Sequence, residues 1–141
     1  MTPLKKEVYF GRMKKLVGIG LIAGLCGILG CGLTNPGLSF LEGGRYDWEA
    51  DSLTPLRLYF FLSPDCPLCE NYTLTINQLR ETLPEDSVQF YGVFPGKYYT
   101  AVEIRGYLKE YRPAVKSLLD PDYTFTHGLG ATVTPEVFMM D

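Results

Sequence analysis

A layered α/β domain with a largely parallel sheet is what this sequence predicts, and three observations carry that expectation. From residue 56 onward the apolar pattern switches repeatedly between a period of two and a period near 3.6. Two cysteines, Cys66 and Cys69, stand where the first switch occurs. A Thr134-Pro135 step directly precedes the last strand-like run. Strands alternating with helices pair in parallel and lay the helices on the sheet faces, which gives three layers.

The elements follow in order. In "LRLYFFL", residues 56 to 62, Leu56, Leu58, Phe60 and Leu62 share one face, and Arg57, Tyr59 and Phe61 the other. Apolar residues on both faces mark a buried, central strand. After the cysteines, Leu68, Tyr72, Ile76, Leu79 and Leu83 recur at helical spacing, and Pro84 ends the helix. Pro67 falls near the first helical position, where its missing N–H costs nothing, so Cys66 sits at or beside the N-cap. "SVQFYGVF", residues 87 to 94, reads as a second strand and "PGKYY" as a loop. Thr100 and Glu103 form a capping box, and Ala101, Ile104, Leu108 and Tyr111 line the helix that follows until Arg112-Pro113. "AVKSLL", residues 114 to 119, is a strand, Asp120-Pro121 a turn, "YTFTHGLG" a short helix, and "EVFMM", residues 136 to 140, a last strand.

The chain of 141 residues is long enough for one such domain, and its 46% apolar content is that of a globular protein. Charge is unevenly spread. Five of the 13 basic residues but only one of the 16 acidic ones lie in residues 1 to 30, so the rest carries a net charge of −7. A domain that acidic lacks the basic footprint that nucleic-acid binding needs.

The N-terminus reads as an address. Lys14 and Lys15 precede "LVGIGLIAGLCGILG", residues 16 to 30, which is free of charge and short for a membrane span. Ile28-Leu29-Gly30-Cys31 resembles the lipobox of bacterial lipoproteins. That resemblance implies cleavage before Cys31 and a lipid on it, with Met13 as a possible start. An uncleaved anchor, a plain cleaved leader and a short buried helix are the other readings. Under the first three, the chain beyond residue 31 lies outside the cytoplasm, held at or released from the membrane. Residues 31 to 49 are then expected to be a tether, with a short strand near Tyr46 to Trp48, and the domain to occupy 50 to 141.

Cys66-Pro67-Leu68-Cys69 fits a redox pair, half of a metal site or a structural disulfide. The positive end of a helix stabilises a thiolate, and CxxC spacing there lowers the first thiol's pKa. Cys66 is therefore expected as the exposed nucleophile and Cys69 as the resolving thiol one turn inward. Asp65 opposes this, because a neighbouring carboxylate raises a thiol pKa. No second CxxC or His pair is present to complete a zinc site. Closing so small a ring adds little chain-entropy stabilisation, which disfavours a purely structural bridge. The tyrosines of "YGVFPGKYYT" read as packing or as a partner surface.

"YFFLSPDCPLCENYTLTINQL" with the downstream "GATVTPEVFMMD" resembles the thioredoxin-like fold. More narrowly, it is similar to the extracytoplasmic redoxin group related to alkyl-hydroperoxide-reductase and thiol-specific-antioxidant proteins. The resemblance covers roughly residues 50 to 141. It implies a cis Thr134-Pro135 bond beside the cysteines, with Thr134 and Pro135 as the substrate-side wall. It further implies thiol–disulfide exchange without a cofactor, on a protein thiol or disulfide substrate and with a redox partner. The group generally adds a further strand and a helix after the cis-proline strand, so the domain is expected to be C-terminally incomplete. Asp65 replaces the tryptophan that precedes the first cysteine in thioredoxin, and Pro-Leu replaces Gly-Pro between the cysteines. The peroxiredoxin pattern P-x-x-x-T-x-x-C is not matched, since Tyr59 and Ser63 stand at its Pro and Thr positions. An alternative within the same fold is a copper carrier of the Sco type, binding Cu(I) through Cys66, Cys69 and His127. That group, however, spaces its cysteines CxxxC.

Overall fold

The period-two segments pair into one sheet in this computed structural model, which describes residues 37–47, 51 and 56–141. Its strands are β1 (Ser39–Phe40), β2 (Leu56–Phe61), β3 (Val88–Pro95), β4 (Lys116–Asp120) and β5 (Glu136–Met140), ordered β1-β4-β3-β2-β5. β2–β3 and β3–β4 run parallel, joined by the helices α1 (Pro67–Thr82) and α2 (Ala101–Tyr111). The two outer pairings, β1–β4 and β2–β5, are antiparallel. A third helix, α3 (Thr124–Leu129), lies between β4 and β5.

The central strands bury both faces, as the apolar alternation requires. Leu58, Phe60, Leu62, Phe90 and Phe94 pack with Cys69 and Ile76 of α1 and Ile104 and Tyr107 of α2. Tyr59, Phe61, Tyr91 and Val93 pack on the opposite face with Phe125 of α3 and with Leu38 and Tyr46. These are the three layers expected from the sequence. Asp51 closes the second layer, accepting hydrogen bonds from the hydroxyls of Tyr46 at 2.5 Å and Tyr91 at 2.6 Å, while Tyr46 and Tyr59 share one at 2.7 Å.

Two expectations need correction. The packed domain reaches back into the segment read as a tether: Leu38, Leu41 and Tyr46 are buried, and the first strand is Ser39–Phe40 rather than a run near Tyr46. Gly43 and Gly44, both at positive φ, turn the chain so that the Tyr46 amide donates to the Leu38 carbonyl at 3.0 Å. Only residues without a Cβ adopt such φ values freely. A two-residue strand is too short to show an alternation, and Trp48 lies outside the described residues.

The second correction concerns α1. Its buried residues are Cys69, Thr73 and Ile76, whereas Leu68 is 66% exposed and Leu79 is 37% exposed. Ile76 is buried as expected and Tyr72 and Leu83 pack against the core, so the helix is turned by less than one residue step from the apolar stripe. Buried Thr73 is satisfied in that orientation, contacting the Cys69 carbonyl at 3.2 Å and the Tyr107 hydroxyl at 3.2 Å. α2 keeps its expected face: Ile104 is buried, Ala101, Leu108 and Tyr111 pack against the core, and Tyr107 is buried beside them. Its capping box forms as expected, with the Thr100 amide donating to Glu103 at 2.7 Å and the Glu103 amide to Thr100 at 3.3 Å.

Among the described residues no helix is long and apolar enough to cross a membrane. The expected leader, the apolar run 16 to 30 and the lipid-bearing Cys31 lie outside the described residues.

Candidate active site

Chain leaving the carboxyl end of β2 passes through Ser63, Pro64 and Asp65 and enters α1 with Cys66 as N-cap, at φ −94° and ψ 108°. Pro67 fixes the first helical φ. The Cys66 sulfur takes the role that a Ser or Asp oxygen usually fills, accepting the Cys69 amide at 3.4 Å. From the other side, the carbonyl of Thr134 accepts from the Cys66 thiol at 3.4 Å. The Thr134–Pro135 bond is cis. Both cysteines are free thiols; Cys66 is partly exposed and Cys69 is buried.

Their environments drive the two thiols apart. Partial burial pushes the Cys66 thiol up, but contacts with the Cys69 thiol and backbone, the Thr134 side chain and the Leu68 backbone bring it below its ordinary value. Burial, followed by contact with Cys66, pushes Cys69 up to about 12. Cys66 is thus the thiol that ionises first and the one solvent reaches. The open question of Asp65 is answered by where its side chain goes: Ser63 donates to it at 2.5 Å and also contacts the Tyr99 hydroxyl at 3.1 Å. Hydrogen bonds from Ser63 and then Tyr99 keep the Asp65 carboxyl below its usual range. The charge is present beside Cys66, yet the Cys66 shift is downward.

Beneath Cys69 lies a second polar pair. The Tyr107 hydroxyl donates to the Cys69 carbonyl at 3.3 Å and contacts Thr73 at 3.2 Å. This pair holds the first turn of α1 from inside. Its signal in the sequence was the i+3 step from Ile104 to Tyr107. Ser63 and Tyr99 carried no such signal, because the loops after β2 and β3 bring them together.

The structure thus gathers Cys66, Cys69, Thr134 and Pro135. His127 lines the same groove as Ser63 and Thr134 but, among the described residues, belongs to no metal-holding group with the cysteines. His127 is exposed on α3, stacked on Tyr123 with ring centroids 5.7 Å apart. Among the described residues no three His, Cys, Asp or Glu side chains are grouped to hold a metal ion. Beside the cysteines, an open groove of about 840 Å³ is lined by Ser63, Tyr98, Tyr99, Tyr123, Val133 and Thr134, among others. It lies at the carboxyl ends of the parallel strands, where open α/β sheets place their ligands.

The fold is thioredoxin-like. Over 73% of this chain it superposes on 74% of dsbF from MTB, with a TM-score of 0.61 at 22% identity. A secreted Mycobacterium tuberculosis disulfide oxidoreductase homologous to Escherichia coli DsbE superposes with a TM-score of 0.58 at 17% identity, covering 72% of this chain and 79% of that one. The thioredoxin domain of a thiol-disulfide oxidoreductase from Bacteroides vulgatus gives a TM-score of 0.61 at 15% identity, covering 73% and 74%. No protein-family model matches the chain, and no curated protein matches it.

Proposed function

We propose that this chain is a thiol–disulfide oxidoreductase working outside the cytoplasm, held at the membrane through its N-terminus, with Cys66 as nucleophile and Cys69 as resolving thiol. The observation that carries this reading is the asymmetry of the pair: a partly exposed Cys66 at a helix N-cap with a lowered pKa, against a buried Cys69 raised to about 12. The leader-like N-terminal sequence and the secreted M. tuberculosis neighbour support the location.

Exchange needs no cofactor. The Cys66 thiolate attacks one sulfur of a protein disulfide; the old S–S bond breaks, a mixed disulfide forms, and the substrate's other sulfur leaves as a thiolate that takes up a proton. Cys69 then loses its proton and attacks the Cys66 sulfur, releasing the second substrate thiol. Two electrons pass from the cysteine pair to the substrate, and a second redox partner returns them. Run backward, the same steps oxidise a substrate dithiol. Thr134 and Pro135 form the wall against which the substrate's sulfur is presented.

Equilibration in dithiothreitol redox buffers tests this reading. A working exchange pair titrates as one two-electron couple, with a potential within the range of about −270 to −120 mV that thioredoxin-like proteins span. A bridge that stays intact well below about −300 mV is a structural disulfide and contradicts the reading.

A further inference from the structure

We propose that Ser63 and Tyr99 are positioning residues for the exchange reaction: together they hold the Asp65 carboxylate on the α2 side of the site, keep its charge off the Cys66 sulfur and so keep the nucleophile fast. The inference rests on the thiol–disulfide reading of Cys66.

Ser63 is the hub of the loop between β2 and α1. Its carbonyl accepts the Cys66 amide at 3.2 Å, which closes a turn with Asp65 in the third position. Its hydroxyl donates to the Asp65 carboxylate at 2.5 Å and lies 3.1 Å from the Tyr99 hydroxyl. Tyr99 donates to the same carboxylate, the bond that does most to raise its own pKa. Asp65 and Cys66, neighbours in the chain, are thus committed to different partners. Asp65 is tied toward the loop after β3, while the Cys66 sulfur is held between the Cys69 amide and the Thr134 carbonyl.

Both anchors are rigid. Ser63 follows Leu62, which is fully buried and donates its amide to the Val93 carbonyl at 2.9 Å. Tyr99 packs against the core and directly precedes Thr100, whose capping box with Glu103 fixes the start of α2. An aspartate free to rotate would spend part of its time near the neighbouring sulfur, and like charge there disfavours the thiolate. Asp65 is exposed, so water screens the effect. Two charges about 6 Å apart in water move a midpoint by about 0.5 on the pH scale.

Of the other titratable groups near Cys66, Cys69 on α1 and Tyr107 on α2 are raised, chiefly by burial, and stay protonated at neutral pH. Glu70, in the first turn of α1, meets the Tyr111 hydroxyl. Glu136, just after the cis bond, accepts from the amides of Thr132 and Val133. Asp65 is the charge that the β2–α1 loop itself has to steer.

The test follows iodoacetamide alkylation of the reduced protein against pH, read at Cys66 by mass spectrometry. Ser63→Ala/Tyr99→Phe releases the carboxylate and keeps the aromatic ring that packs. Its midpoint is expected to rise by about 0.3–0.7 on the pH scale, slowing attack near pH 7 by about two- to fivefold. The difference shrinks in about 1 M salt. Adding Asp65→Asn to that pair returns the midpoint to the wild-type value or below, whereas Asp65→Asn alone moves it less. A merely structural loosening of the loop would not be rescued by removing the charge. An unchanged midpoint in Ser63→Ala/Tyr99→Phe, or a rise that persists after Asp65→Asn, would overturn the inference and leave the exchange reading intact. One equivalent of the neutral disulfide 4,4′-dithiodipyridine checks that reading on the same samples. Cys66 displaces one thiopyridone and forms a mixed disulfide; Cys69 then displaces the second and leaves the Cys66–Cys69 disulfide. A mixed disulfide that persists on Cys66 in the wild type removes both.

Discussion

The thiol of Cys66 and the carbonyl of Thr134, 68 residues apart in the chain, meet at 3.4 Å. The sheet sets that distance. β2 ends just before the CxxC, β5 begins just after the cis bond, and the two strands pair antiparallel with Phe61 opposite Glu136. The two walls of the site are therefore as rigid as the central strand pair that carries them.

Cys66 should react early on the pH scale. Its folded pKa is lowered, so its thiolate fraction rises below the pH of about 8.5 at which a free cysteine ionises. Alkylation by iodoacetamide is expected to reach half its plateau rate below that value. In Cys69→Ala the midpoint moves upward, because the contacts with Cys69 contribute to the lowering. A wild-type midpoint at or above that of free cysteine contradicts this.

At alkaline pH the dithiol protein should lose stability. Burial raises Cys69 and Tyr59 to about 12 each, and Tyr46 and Tyr91 still further. A raised folded pKa gives stabilisation that is complete below the unfolded values, about 8.5 for the thiol and about 10 for the phenols. It is lost as pH climbs toward the folded values, because the unfolded chain then binds fewer protons. Denaturant midpoints should fall steadily above about pH 9, and tyrosinate absorption from part of the tyrosines should appear only on unfolding. Independent ionisation of all tyrosines in the folded protein would count against the buried Tyr46–Tyr59–Tyr91 cluster.

Asp51 accepts from both Tyr46 and Tyr91. Asp51→Ala leaves two phenols without that acceptor and is expected to cost about 2–4 kcal/mol in urea unfolding, less than twice the roughly 1.5–3 kcal/mol of one hydrogen bond to a charged group because both bonds share one part-buried carboxylate. Asp51→Asn should cost less. A loss under about 0.5 kcal/mol, typical of an exposed site, would deny the network a stabilising role.

Gly92 lies in the middle of β3, and a Cβ there would stand 2.8 Å from Cγ2 of Val115. Valine is stiff at χ1 and yields little. Gly92→Ala should therefore destabilise by about 1–3 kcal/mol. Adding Val115→Ala should recover part of the loss, a coupling that a double-mutant cycle reads directly. Simple additivity would mean that the strain lies elsewhere.

Much of this was legible in the residues. Runs of alternation such as "LRLYFFL" fixed the strands, and Thr100, Glu103 and Pro113 bounded α2, because those signals are local. The position of Cys66 at a helix start followed from Pro67 alone. What failed depended on tertiary contacts. The stripe on α1 pointed to Leu68 and Leu79, but the helix turns to let Thr73 reach Tyr107. Leu38 and Tyr46 were hidden in a glycine-rich segment whose order comes from the sheet it covers. The groove joins loops after three strands, and no spacing in the chain announces it.

The most direct test of the central claim is mass spectrometry of covalent complexes isolated from cells under non-reducing conditions. It compares Cys69→Ala with Cys66→Ala. With Cys66 as the accessible thiolate and Cys69 as its resolver, Cys69→Ala accumulates partners disulfide-bonded to Cys66, and Cys66→Ala accumulates few. Equal trapping by the two variants, or trapping only through Cys69, contradicts the account.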